Sequence, residues 1–312
     1  MSLVPFVTTM AGDEAEAWRA ELQSALPSHR VVDPRSLSPA DMESVEVAIV
    51  ANPDPADLAR FPALRWVQSL WAGVERLVTA LPPEIGIVRL VDPVLSEAMA
   101  EAVLSHVFFL HRRMPEYLAQ QRAGIWSPLD QPLASERTVA ILGLGELGTL
   151  AARRLSASGF RVLGWSRSPR EIEGIETHCG ESSLTLVVQA AEIVVVLLPL
   201  TDATAGLLDE KTLAGFRPGA SLVNAGRGPI IETNALLAAL DRRHISHAIL
   251  DVFDQEPLPV GHRFWAHPAV TVMPHVAAPT NRKSASAIAA KNIRAYFHEG
   301  RLPDLVDRTA GY

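Results

Sequence analysis

The segment TVAILGLGELG, residues 138–148, restricts the possible folds of this chain more than any other stretch. An apolar run leads straight into Gly143, Gly145 and Gly148, and Leu147, Ala151 and Leu155 then recur on one helical face until Gly159 closes it. A strand, a glycine turn and an amphipathic helix in that order form a crossover unit, and crossover units pair strands in parallel. The same rhythm continues downstream: TVAILG, RVLGW, EIVVVLLP, ASLVNAG, HAILDVF and AVTVMPH are six short β-rich runs, with helix-like stretches between most of them. Several are apolar without alternation, as parallel strands covered on both faces must be. An open doubly wound α/β sheet is expected, with its ligands at the carboxyl ends of the strands.

At 312 residues the chain exceeds one ordinary core, so two domains of unequal size are expected. In the first third LVPFV, VEVAIVA, LRWVQSL and IGIVRLV read as strands, and residues 13–26 are helix-compatible. Ser96 stands as an N-cap before EAMAEAVLSHVFFLHRRM, whose Val103, Val107, Leu110 and Met114 recur at helical spacing; Pro115 should end or kink that helix. The stretch GIWSPLDQPLASE, residues 124–136, reads as a loop or arm. A last helix-like stretch, residues 281–298, follows the sixth strand without being needed by that sheet, and is expected to return to the first domain. The expected division is therefore a discontinuous domain of residues 1–97 and 281–312, and a second of residues 98–280.

Composition excludes several classes. A formal net charge of -7 argues against a general nucleic-acid partner, and an anionic ligand would need a local cation. Cys179 is the only cysteine, so no disulfide forms within the chain; it reads as an inert half-buried thiol in a reducing compartment. The first residues carry no basic region of a signal peptide. The longest apolar run, residues 193–200, is broken by Pro199 and falls short of the roughly 20 residues a bilayer span needs. A cytoplasmic protein with no membrane or metal requirement is expected.

The glycine segment carries chemistry as well as topology. Glycines at this spacing also serve ordinary tight turns, but between a strand and a helix Gly143 permits the turn and Gly145 lets backbone approach a pyrophosphate. Unpaired N–H groups at the start of the helix, around Glu146, Leu147 and Gly148, supply partial positive charge. The second strand of this sheet ends at Trp165, where an acidic residue would hold ribose hydroxyls; Ser166, Arg167 and Ser168 stand there instead. Two hydroxyls and a guanidinium would accept a phosphate on that ribose, which points to NADP(H), with NAD as the weaker alternative. A solvated basic turn is the bland reading of the same residues.

Three later strand ends each deliver a candidate: Arg227 in NAGRG, Glu256 in DVFDQEP and His275 in MPH. Singly they could be a helix cap, a turn residue and a satisfied core histidine. Together they follow strands of one sheet, downstream of the nucleotide loop. GLGELG, LLPLT, NAGRG, LDVFDQEP and PH, in this order, resemble the D-isomer-specific 2-hydroxyacid dehydrogenases, and the likeness to short glyoxylate/hydroxypyruvate reductases extends to the Trp-Ser-Arg-Ser segment. The resemblance implies two doubly wound α/β domains, Rossmann-like and flavodoxin-like, with the active site in a cleft between them. It implies catalytic roles for Arg227, Glu256 and His275, with the nucleotide lined by Leu198, Pro199, Ala225 and Gly226 and its nicotinamide amide touched by Asp251. In SLWAGVE it places Trp71, Ala72 and Gly73 on a substrate loop whose N–H groups hold a carboxylate. A homodimer is implied too, with residues 124–136 as the candidate contact.

The residue types suit that chemistry. Reducing a 2-keto acid takes a hydride to carbon and a proton to oxygen. A histidine exchanges protons near neutrality, so His275 would give the proton. Glu256 would favour the imidazolium and fix the ring, while the planar fork of Arg227 would hold carboxylate and carbonyl oxygens. Trp71 either narrows the pocket toward a small acid or packs in the first domain's core. VANPD around Asn52 lacks the aromatic of the nearest reductases, which leaves the acid open. A nucleotide-sensing corepressor and a dehydrogenase working oxidatively on NAD are the rival readings.

Overall fold

Two all-parallel sheets form from these runs, and the computed structural model describes residues 1–309 and 311. The chain divides into two compact units, Met1–Leu95 with Thr280–Tyr312, and Ser96–Pro279.

The first unit holds β1 (Leu3–Thr8), β2 (Arg30–Val32), β3 (Val47–Ala51), β4 (Trp66–Ser69) and β5 (Gly86–Val88). Their order is β2-β1-β3-β4-β5, the flavodoxin-like winding. All of β3 is buried, which is why VAIVA shows no alternation. β2 has only three residues and no sequence signature. One face of the sheet packs Val4, Phe6, Ile49 and Trp66 with Trp18 and Leu22 of the helix Gly12–Ala25. The last long helix, Arg282–Glu299, joins that core through Ala285, Ala289, Ala290 and Ile293. Its start is capped by the Asn281 side chain, which accepts from the N–H groups of Lys283 and Ser284 at 3.1 Å each.

The second unit holds β6 (Thr138–Leu142), β7 (Arg161–Ser166), β8 (Glu176–Cys179), β9 (Ile193–Val196), β10 (Ala220–Asn224), β11 (Ile245–Leu250) and β12 (Val270–Val272). The order is β12-β11-β10-β9-β6-β7-β8, so the winding reverses at β6 and opens a crevice at the carboxyl ends of β6 and β9. The edge strand β8, Glu-Thr-His-Cys, has no apolar residue run to betray it. Cys179 on that edge is exposed, not half-buried.

The helix expected from Ser96 begins earlier, spanning Pro93–His111. Proline fits a first helical position, and Asp92 rather than Ser96 provides the cap, accepting the Val94 N–H at 2.9 Å. Nor does Pro115 simply end it: the break falls at Arg113, in the left-handed region at φ 58°, and Pro115 sits in the first turn of a new helix, Met114–Ala123. By length and composition Pro93–His111 is apolar enough to cross a membrane. Its Met99, Ala100, Val103 and Val107 are buried in the core of this unit against Val139 and Ile141. Residues 124–133 form no regular element, and Tyr117 tethers them by accepting the Leu129 N–H at 2.9 Å.

Candidate active site

The turn after β6 is built so closely that side chains would not fit. Gly143 adopts φ 110° and donates to the Trp165 carbonyl at 2.8 Å; a Cβ on Gly148 would lie 1.8 Å from the Gly143 oxygen. At Gly145, by contrast, a Cβ would meet nothing within 4 Å. Gly145 is the N-cap of the helix Glu146–Ala157, and no side chain caps it. Unpaired first-turn N–H groups above an unobstructed glycine fit the pyrophosphate of a dinucleotide. Glu146 is exposed and Leu147 half-buried beside them.

At the end of β7 Ser166 is buried, and its hydroxyl donates to the Ser168 carbonyl at 2.7 Å. Its own carbonyl accepts the Gly180 N–H at 3.2 Å, and the Trp165 indole N–H donates to the Gly180 carbonyl at 2.9 Å. The Ser166 proton is therefore committed to shaping the turn that presents Arg167 and Ser168, both exposed. After β9, Leu198 is buried and Pro199 half-buried, with the Pro199 carbonyl held by Thr204 at 2.6 Å.

Arg227, Glu256 and His275 follow β10, β11 and β12, three neighbouring parallel strands, and so lie along one edge of one sheet. Asn224 closes β10 and clamps the following turn: its side-chain oxygen accepts from Gly226 at 3.1 Å and its amide donates to the Arg227 carbonyl at 3.0 Å. Ala225 and Gly226 are buried within this turn, and one Arg227 nitrogen, Nη1, donates to the Gly226 carbonyl at 2.8 Å. A Cβ on Gly228 would lie 2.0 Å from the Phe253 carbonyl carbon, so glycine there lets the two loops touch. On the second loop the Phe253 N–H donates to one Glu256 oxygen at 2.9 Å; the other stands 2.7 Å from His275 Nδ1. His275 is a non-glycine residue in the left-handed region, φ 55°. Asp251, almost wholly buried, braces it by accepting the N–H groups of Val276 and Ala277 at 2.8 and 2.9 Å. His106, on the helix Pro93–His111, is held below the usual imidazole range by burial, against the opposing pull of Asp251.

Sequence reading missed Asn224 and this bracing role of Asp251. An Asn directly ahead of a Gly-rich turn was the available signal for the first.

The Trp71 loop belongs to the first unit. Its backbone N–H donates to Ser69 Oγ at 3.0 Å and its carbonyl accepts from Leu90 at 3.0 Å. The indole packs edge-on to Trp18, centroids 5.9 Å apart, against the core of that unit. Ala72 and Gly73 are half-buried beyond it.

Residues 104–277, more than half of the chain, match the family described as D-isomer specific 2-hydroxyacid dehydrogenase, NAD binding domain. The chain belongs to this family. Among curated members, the glyoxylate/hydroxypyruvate reductase A of Serratia proteamaculans is 37% identical over 306 residues, covering 96% of each chain. A D-isomer specific 2-hydroxyacid dehydrogenase from Xanthobacter autotrophicus, solved with NADPH and MES, is similar with a TM-score of 0.93 and 38% identity, covering 100% of this chain and 99% of that one. The NADPH-dependent glyoxylate/hydroxypyruvate reductase of Sinorhizobium meliloti, solved with NADP and sulfate, gives a TM-score of 0.90 at 35% identity over 100% of both. This 2-hydroxyacid dehydrogenase family member thus shares both parallel-sheet domains with those structures, not the nucleotide-binding segment alone.

Proposed function

We propose that this chain is an NADPH-dependent reductase of small 2-keto acids, acting on glyoxylate or hydroxypyruvate. The observation that carries the proposal is the Glu256–His275 pair at 2.7 Å, with backbone bonds fixing each partner, on the sheet edge that also bears Arg227. The named activities of the relatives and the NADPH and NADP bound in their structures support it.

In this reading the second unit binds the nucleotide, with pyrophosphate at Gly143 to Gly148 and the ribose phosphate at Arg167 and Ser168. Leu198, Pro199, Ala225 and Gly226 line the nucleotide, and NADH binds more weakly for want of that phosphate. Bound NADPH supplies the hydride for the substrate's carbonyl carbon. Arg227, one edge fixed on the Gly226 carbonyl, holds the carboxylate and carbonyl oxygens and polarises the latter. Glu256 engages Nδ1 of His275, so Nε2 faces away from it and delivers the proton to the carbonyl oxygen. The His275 side chain is about half exposed, which gives solvent a route to restore that proton. In the first unit the N–H groups of Ala72 and Gly73 are the proposed carboxylate binders, next to Trp71, whose indole packs against that unit's core.

A cytoplasmic homodimer is the accompanying proposal. The lone cysteine supports the reducing compartment. Exposed Ile125, Trp126 and Leu133 on residues 124–136, with Met114 and Leu118 before them, support a second copy as the partner.

NADPH consumption with glyoxylate, hydroxypyruvate, pyruvate and phenylpyruvate side by side tests the function, and the first two should turn over fastest. Absence of turnover with all four would refute the enzyme reading, corepressor-like binding being the remaining role. His275→Ala should lower turnover by about 10²–10⁴-fold with NADPH affinity nearly intact, and full turnover would remove His275 from the mechanism.

A further inference from the structure

The Trp71 loop is tied to both segments by which the chain passes between its units. The Trp71 indole N–H is buried without a hydrogen-bond partner, so no polar bond sets the ring's orientation. Packing must set it, and the edge-on partner is Trp18, buried at 4% exposure, with an interplanar angle of 89°. Over the Trp18 ring stands the Arg282 guanidinium, 5.5 Å from the centroid. Arg282 opens the helix Arg282–Glu299, immediately after the second passage between units, and seven positions after His275. On its other side the Trp71 carbonyl accepts the Leu90 N–H at 3.0 Å, at the start of the first passage. Two residues on, Asp92 accepts the Ser284 hydroxyl at 2.5 Å, and Ser284 lies one helical half-turn past Arg282. The contacts close a ring: Trp71, Leu90, Asp92, Ser284, Arg282, Trp18 and back to Trp71.

We propose that Arg282 and Trp18 are positioning residues for the carboxylate-binding loop. Through this ring they hold the N–H groups of Ala72 and Gly73 where a 2-keto acid's carboxylate meets them. The inference rests on the proposed role of that loop. Arg282 touches neither substrate nor nucleotide in this scheme; it acts through Trp18 on Trp71. Because Arg282 is exposed, its removal should hardly affect stability, whereas loosening an indole held only by packing shifts the adjoining N–H groups.

The test compares Arg282→Met, which keeps the aliphatic stem and loses the cation, with Arg282→Lys. KM for glyoxylate and kcat are measured at saturating NADPH, and oxalate, a carboxylate that cannot be reduced, is titrated calorimetrically. Arg282→Met should raise both KM and the oxalate dissociation constant by about two- to fivefold, the loss of one exposed cation–π contact, with kcat and NADPH affinity nearly unchanged. Arg282→Lys should restore most of the loss. Unchanged KM and oxalate affinity in a folded Arg282→Met protein overturns the inference, and if that variant does not fold, Ser284→Ala, which opens the same ring, is read by the same criteria. Should the wild type turn over no keto acid, the reductase reading falls by itself. Oxalate then decides the loop: weaker binding by Arg282→Met supports the inference, while equal binding, or none to the wild type, overturns it.

Discussion

Alanine at Gly148 and at Gly145 should separate two tasks that the glycine turn performs together. At Gly148 the new Cβ would stand 1.8 Å from the Gly143 oxygen and 2.9 Å from its carbonyl carbon, both backbone atoms. Ordinary contact begins at 3.4 Å, so the helix Glu146–Ala157 must retreat by roughly 1.6 Å. That helix buries Ala151, Ala152 and Leu155 completely, and overpacking of this kind costs ~1–3 kcal/mol, or ~3–10 °C in melting for a unit of this size. At Gly145 φ is -78°, which alanine adopts freely, and its Cβ meets nothing within 4 Å. Exchanging Gly for Ala at an N-cap costs less than ~1 kcal/mol, so melting should move by no more than ~3 °C. Yet that methyl would fill open space at the turn proposed to meet the pyrophosphate, and NADPH affinity should fall tenfold or more, ~1.4 kcal/mol. Calorimetric titration of NADPH and thermal melting without nucleotide measure the two effects. A Gly148→Ala protein that melts like the wild type, or a Gly145→Ala protein that binds NADPH as tightly, would refute the reasoning.

Asn224→Ala removes both clamps on the Arg227 turn from a buried site, so stability should fall by ~1–3 kcal/mol in denaturant titrations and kcat/KM should fall with it; a stable, fully active variant would deny the clamp its role. Burial lowers the His247 pKa from 6.5 to about 4, so the folded chain keeps this ring neutral where the unfolded chain protonates it. The protein should therefore lose stability as pH falls from 6.5 toward 4, up to ~3 kcal/mol from this group, which adds no further loss below; His247→Gln should flatten that slope in melting measured across the range, and an unchanged slope would acquit His247. Burial acts in the same direction on His29 and His111. Arg167→Ala should raise KM for NADPH about tenfold or more while leaving KM for NADH nearly unchanged, and an equal effect on both nucleotides would disconnect Arg167 from the ribose phosphate.

Most strands of both sheets were legible because their apolar runs lack alternation, as in Val-Ala-Ile-Val-Ala of β3 and Ile-Val-Val-Val of β9. β2 and β8 escaped for physical reasons: one is three residues long, the other a polar edge strand whose place comes from pairing with β7 rather than from its own hydrophobicity. Asp92 was hidden as a cap because Ser96 offered the more familiar cap signal three residues into the helix. The positions of Arg227, Glu256 and His275 at strand ends were readable from chain order, since every strand of a parallel sheet ends on the same side. The buried hydroxyl of Ser166 was not, because its acceptor is a backbone carbonyl two residues on, and periodicity carries no trace of that bond.

How a histidine with a left-handed backbone can hold a defined ring position follows from the competing magnitudes. A non-glycine residue in that region costs ~1–2 kcal/mol. Each Asp251 oxygen accepts one N–H immediately after His275, and hydrogen bonds to a charged group contribute ~1.5–3 kcal/mol apiece, so the brace outweighs the strain. The Asp251 N–H itself donates to the Asn224 carbonyl at 2.9 Å, and Asn224 holds the Arg227 turn. The ends of β10 and β11 and the loop after β12 are thus stapled in series, from the guanidinium-bearing turn to the imidazole-bearing one. Glu256 adds a second route, bonded to the Phe253 N–H on one side and the His275 ring on the other. Arg227 and His275, in loops after separate strands, keep a fixed spacing because the side chains connecting them, those of Asn224 and Asp251, are each bonded to backbone groups. An Asn and an Asp at the ends of two apolar strands are therefore the feature to look for when a sheet edge is suspected of chemistry.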